Sequence, residues 1–241
     1  MPRGPSAVFL VIPAWNEAEA IGAVLDEVPA GVVDDILVVV PSDADPTATV
    51  ATAHGARVLV QEAPGYGMAC WSGARCAIDA GAEVIAFLDG DYADPPADLP
   101  RIVEPIQRGQ ADLVLGCRDL GPFPNALPAH ARLGNAVVCW LLHLLLQRRF
   151  KDLPSFKAIR ASSLQALGMR EMTYGWTVEM LVKAARQDLR IEQLDVEYRP
   201  RRGGHSKVAG DPRASLSAAC KLLGCAFTYA TGWQWSTAGG R

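Results

Sequence analysis

Val84-Ile85-Ala86-Phe87-Leu88-Asp89-Gly90-Asp91 is the stretch on which the reading of the whole chain turns. Five apolar residues without a polar interruption read as a strand covered on both faces, as strands of a parallel sheet are. A carboxylate pair split by one glycine follows at once, where packing alone gives no reason for two charges. Working outward, residues 8–12 (VFLVI) and 36–40 (ILVVV) are runs of the same kind, and 57–60 and 113–116 are shorter ones. Helical spacing separates them. Residues 16–28 put Ile21, Val24, Leu25 and Val28 on one face, 47–54 read as a second helix, and 67–80 follow a glycine-rich turn at 64–67. Strands alternating with helices in this order predict an α/β domain built on an open, mostly parallel sheet flanked by helices.

The second half changes character. An apolar helix around 133–147 leads to a strand at 156–160, a helix near 176–187 and an alternating strand at 191–199. A basic loop, 199–207, then enters a last helix. No linker or repeat interrupts the chain, so the expectation is a single domain over 1–233 with a loose tail at 234–241.

Composition excludes several classes. Half of the 241 residues are hydrophobic and a fifth charged, far too apolar for intrinsic disorder. The formal net charge of −3 argues against a nucleic-acid partner. Six cysteines form no CxxC pair, which speaks against structural zinc and for reduced thiols. The first residues lack the pattern of a signal peptide, giving a cytoplasmic expectation. Residues 136–146 and 214–233 are apolar but too short or too polar to span a bilayer. Core helices, or a peripheral contact with the membrane face, are the two readings they leave.

Ligands of open α/β sheets sit beyond the carboxyl ends of the strands. Three such ends carry unusual sequence: Pro13-Ala14-Trp15-Asn16-Glu17, Asp89-Gly90-Asp91 and Cys117-Arg118-Asp119. Two carboxylates held close raise each other's pKa unless a cation intervenes. A hard divalent ion, Mg²⁺ or Mn²⁺, completed by substrate phosphates meets that need, with Asp89 and Asp91 as its ligands and Asp94 close enough in sequence to join.

In order along the chain, Val11-Ile12-Pro13-Ala14-Trp15-Asn16-Glu17, Gly65-Tyr66-Gly67, Phe87-Leu88-Asp89-Gly90-Asp91, Gly116-Cys117-Arg118, Phe156-Lys157-Ala158-Ile159-Arg160, Tyr174-Gly175-Trp176-Thr177-Val178-Glu179 and Arg201-x-x-Gly204-x-Ser206-Lys207 resemble family 2 glycosyltransferases of the GT-A (Rossmann-like) fold. The last pattern is similar to the polyprenyl-phosphate, dolichol-phosphate mannose synthase-like branch. The resemblance implies a nucleotide-sugar half at about 6–118 and an acceptor half at about 119–233. It implies inverting transfer of a sugar from a UDP- or GDP-linked donor to a polyprenyl phosphate; the alternatives are a soluble small-molecule acceptor or a non-catalytic nucleotide-sugar binder. Pro13, Ala14, Trp15, Glu17, Gly67, Asp89 and Gly90 match donor-binding positions, and Asp91 the metal ligand. Arg118, Arg132, Arg201, Ser206 and Lys207 match places where phosphates are held, and Glu179 is the candidate base or orienting residue, with Asp119 a second candidate base. The chain departs from the family at Val40, Tyr66 and Ala93. At the first of these, Asp43 or Asp45 stands in for the usual aspartate.

Overall fold

The computed structural model describes residues 7–202 and 212–231, with side chains over 7–202 and 221–231. Seven strands form one sheet: β1 Val8–Pro13, β2 Asp35–Val40, β3 Arg57–Val60, β4 Val84–Phe87, β5 Leu113–Asp119, β6 Lys157–Arg160 and β7 Ile191–Glu197, in the spatial order β3-β2-β1-β4-β6-β5-β7. All pairings are parallel except those of β6, which runs antiparallel between β4 and β5. The sheet is therefore mostly parallel, as expected.

Helices cover both faces. Val8, Leu10 and Ile12 turn to one side, where α1 (Ile21–Glu27), α2 (Pro46–Ala53) and α4 (Leu99–Gln107) pack. Phe9 and Val11 turn to the other, against α3 (Tyr66–Asp79), α5 (Ala129–Leu146), α6 (Ala161–Leu167), α7 (Trp176–Arg186) and α8 (Pro212–Thr231). A strand buried on both faces has no polar positions to spare, which is why VFLVI and VIAFL are uninterrupted.

Several elements differ from expectation. The helix foreseen at 16–28 begins only at Ile21, because residues 14–20 are held as a loop. The Ala14 amide donates to Val39 O, the Asn16 amide to the Asp45 carboxylate, and the Glu17 amide to Thr47 Oγ1. Asn16 sits at φ 56°, in the left-handed region that helices do not use. Helix α4 was hidden by Pro100 and Pro105, although Leu99, Ile102, Val103 and Ile106 keep helical spacing and are buried. Strand β5 runs on to Asp119, so Cys117-Arg118-Asp119 ends the strand rather than following it. The thiols of Cys70, Cys117, Cys139 and Cys225 are buried, and burial pushes each up to about 12, which keeps them protonated and unreactive. One described helix, α5, is long and apolar enough to cross a membrane by length and composition.

Candidate active site

A cavity of about 760 Å³ opens beyond the carboxyl ends of β1 and β4. One wall is the β1 loop, with Pro13, Ala14, Trp15 and Glu17; the floor is Asp89-Gly90-Asp91; Tyr66 of α3, Arg118 of β5 and Arg201 beyond β7 close the other sides. A shallower cavity of about 440 Å³ shares Trp15 and Pro41 with it and runs along Asn16, Ser42, Ala44 and Asp45. Trp15 stands between the two, 58% exposed.

Each carboxylate of the floor has a defined partner. Asp89 accepts from the Tyr66 hydroxyl at 3.1 Å. Burial and the neighbouring Asp91 push Asp89 above the usual carboxylate range, while Arg201 and Lys157 pull it back. Asp91 accepts the Ala93 amide at 2.9 Å with one oxygen and pairs with the Arg201 guanidinium at 2.9 Å with the other. Asp94 is buried, bonded through one oxygen to the Ser155 hydroxyl at 2.8 Å, while its second oxygen is buried without a partner. Burial, reinforced by Asp89 and Asp91, raises it to about 7.

Beneath them lies Lys157, wholly buried at the start of β6. Its ammonium donates to Pro154 O, Ser155 O and Thr177 Oγ1 at 2.9–3.1 Å and lies over the Phe87 ring. Burial lowers its pKa, and the neighbouring Cys70, Asp89 and Asp94 oppose that. Because β6 is antiparallel, its amino end reaches the same rim as the carboxyl end of β4, and a cation from one strand meets the anions of the other.

Nine of the expected residues line the cavity: Pro13, Ala14, Trp15, Glu17, Asp89, Gly90, Asp91, Arg118 and Arg201. Arg118 is already engaged, since Nε and Nη2 grip Asp152 at 2.7 and 2.5 Å and the guanidinium stacks on Tyr198. Six others are elsewhere. Asp43 is exposed on the loop after β2, outside the cavity lining. Asp45, buried at the amino end of α2, is the aspartate that holds the β1 loop. Gly67 serves packing: a Cβ there would lie 2.6 Å from Glu171 O. Glu179 is completely buried, accepting the Arg170 and Glu171 amides and pairing with Lys183 at 2.7 Å, so it anchors a loop and does not line the cavity. Arg132 is exposed and donates to Pro124 O. Asp119 caps Gly121 and does not line the cavity. Ser206 and Lys207 lie outside the described residues. Sequence reasoning gave neither Lys157 nor Asp152 a role in the site: Lys157 stood only as one letter of the motif at 156–160, and Asp152 is defined by Arg118, distant in sequence.

The donor set fits a divalent cation. Two hard oxygen ligands one glycine apart suit Mg²⁺ or Mn²⁺, which commonly take one or two carboxylates and complete their shell with substrate phosphates and water. Asp94 is turned to Ser155, and no group of three or more His, Cys, Asp or Glu among the described residues is gathered to hold an ion.

Fold and site together define a glycosyltransferase of the GT-A architecture. Residues 9–170 match the family model described as Glycosyl transferase family 2, and the chain belongs to that family. An uncharacterised glycosyltransferase of Mycobacterium tuberculosis is 39% identical over 88% of this chain and 94% of its own. A dolichyl-phosphate hexose transferase of Haloferax volcanii is 31% identical over 89% of this chain and 91% of its own, and an undecaprenyl-phosphate mannosyltransferase of Micrococcus luteus 28% over 84% and 88%. Among solved structures, glucosyl-3-phosphoglycerate synthase of Mycobacterium tuberculosis superposes with a TM-score of 0.76 at 24% identity, covering 98% of this chain and 83% of that one, a likeness of fold.

Proposed function

We propose that the protein transfers a sugar from a nucleoside-diphosphate sugar to an acceptor that carries a phosphate, with Mg²⁺ or Mn²⁺ bound at Asp89 and Asp91. The observation that carries this reading is the convergence of Asp89, Asp91, Arg201 and Arg118 on one cavity of about 760 Å³, a size that suits a nucleotide sugar. The cation, when bound, supplies Lewis-acid stabilisation of the diphosphate. Trp15, Pro13 and Glu17 form the wall that receives the nucleoside, with the exposed indole as a stacking face. Arg201 offers its guanidinium to the charge that builds on the departing diphosphate, and Lys157 keeps the floor from becoming a purely anionic pit. An in-line displacement with inversion needs an acceptor oxygen on the far side of the anomeric carbon from the departing diphosphate, and Thr173, Tyr174 and Leu222 line the same cavity.

The first reading of the acceptor is a soluble phosphorylated small molecule. It is supported by the fold neighbour, whose structures hold Mn²⁺, UDP-glucose and phosphoglyceric acid. A lipid phosphate is the second reading, supported by the names of the Haloferax and Micrococcus relatives. It is favoured by one observation: with Glu179 and Asp119 away from the cavity, the carboxylates lining it are Glu17, Asp89 and Asp91. A phosphate oxygen is already anionic and needs no base, unlike a hydroxyl.

Calorimetric titration of UDP and GDP, each with and without Mn²⁺, tests the donor half. Metal-dependent binding of one nucleotide, lost in Asp91→Asn, is the expected result; binding of neither refutes the reading. Transfer to phosphoglycerate-like acceptors and to a short-chain polyprenyl phosphate then separates the two acceptors.

A further inference from the structure

Helix α5 presents an apolar face to the outside. Leu133, Val137, Trp140 and Leu144 follow one another at spacings of four, three and four, and so lie along a single stripe. They are 67, 40, 61 and 54% exposed. Ala129 and Ala136, which flank the stripe, are exposed as well. The opposite face is fastened to the domain: Val138, Cys139 and Leu142 are buried among α7 and α8. Asn135 accepts from the Arg118 guanidinium and the Leu153 amide, and Arg148, just past the helix, donates to Leu189 O. A helix tied along its whole inner side lies on a surface and does not thread through one.

Charge identifies the surface. Between Asp119 and Asp152, residues 120–151 contain four Lys or Arg and no Asp or Glu, within a chain whose net charge is −3; Lys151 is paired with Asp195, which leaves Arg132, Arg148 and Arg149 as the cations of this segment. Arg132 stands exposed near one end of the stripe and Arg149 near the other. An apolar stripe with an indole at its middle, basic residues at both ends and no acid over thirty-two positions matches an anionic lipid interface. There the apolar side chains enter the acyl boundary and the guanidinium groups meet phosphates. A second copy of this chain fits less well, because a two-fold contact would set Arg132 and Arg149 against their own kind.

We infer that α5 is the docking face by which this domain settles on an anionic lipid surface, independently of which acceptor it uses. The site and the docking face lie on opposite sides of the same helix: Asn135 touches the cavity residue Arg118, and Leu133, Trp140 and Leu144 face outward.

Flotation with lipid vesicles, run without donor or acceptor, tests the inference separately from catalysis. The protein is mixed with vesicles of phosphatidylcholine alone or of phosphatidylcholine and phosphatidylglycerol, and compared with the triple variant Leu133→Ser, Trp140→Ser, Leu144→Ser. All three positions are exposed, so the variant is expected to fold, as judged by its circular dichroism and its nucleotide binding. The expected result is co-flotation of the wild type with the anionic vesicles, weakened by salt, and at least about a tenfold loss in the variant. Failure of the wild type to float, equal binding to neutral vesicles, or an unchanged variant overturns the inference. So does a stable dimer in light scattering that the triple variant dissolves, since a second copy then covers the stripe.

Discussion

Asp94 carries the clearest pH signature of any single residue here. Its carboxyl rises from the ordinary 3.8 to about 7 on folding, because it is buried beside Asp89 and Asp91 and bonded on one oxygen only. A group whose pKa is raised in the native state binds its proton more tightly there. Its stabilising contribution is complete below about pH 4 and is lost as the pH climbs through about 7. Metal-free protein is therefore expected to lose about 3 kcal/mol of stability between about pH 5 and pH 8, and Asp94→Asn to lose much less, as read from urea denaturation at the two pH values. Equal slopes in both proteins would place the titration elsewhere. At this scale the legible part of the site was Asp89-Gly90-Asp91, since charges at the end of an apolar run are visible without any partner. Lys157 was legible only as one letter of the motif at 156–160, and its burial was not: a lysine opening a short strand looks like a solvated strand end until Pro154, Ser155 and Thr177 are seen to take its three protons.

Elements show where local pattern and tertiary contact part company. Gly67 and Glu179 looked like site residues by motif, yet both act on the segment 170–172, which neither adjoins in sequence. Gly67→Ala would drive a Cβ to within 2.8 Å of Met172 Cα and Glu171 O. Overpacking against backbone has no flexible end to yield, and a loss of about 1–3 kcal/mol in denaturant unfolding is expected. Glu179→Gln removes the buried charge that Lys183 and two amides share, which should cost about 3 kcal/mol. The decisive comparison is kcat measured where both proteins remain folded: a loop anchor leaves turnover within a fewfold of wild type, whereas a catalytic base would lower kcat with stability intact. The same divide explains α1. Its apolar positions Ile21, Val24 and Leu25 were legible, but the delayed start was not, because Asp45 and Thr47 of another element hold residues 16 and 17 out of the helix.

The whole molecule is expected to answer its ligand as one cooperative unit. One wall of its cavity comes from β1 and the loop after it and the floor from the end of β4, while Arg118 and Arg201 come from β5 and the chain beyond β7. A nucleoside diphosphate with Mn²⁺ at a hundredfold its Kd adds about 2.7 kcal/mol, a rise of about 5–10 °C in Tm for a domain of this size. Asp91→Asn should abolish the Mn²⁺-dependent part of that rise in a thermal melt. Sheet class and helix layers were legible at this scale from alternation of runs alone; the strand order was not, because nothing local announces that 157–160 inserts between β4 and β5. That insertion bears on how the chain is made. When β4 leaves the ribosome, its partner on one side, β1, is already available, but β6 follows only about seventy residues later. At ordinary rates of synthesis the second edge of β4 waits about 4–14 s with its amides and carbonyls open. A nascent chain stopped near residue 118 would hold Asp89 and Asp91 at the end of an unfinished sheet, without the ammonium of Lys157 beneath them. Residues before about 118 thus cannot complete the sheet around β4 by themselves, and the ribosome must release the chain through β6 before that edge closes.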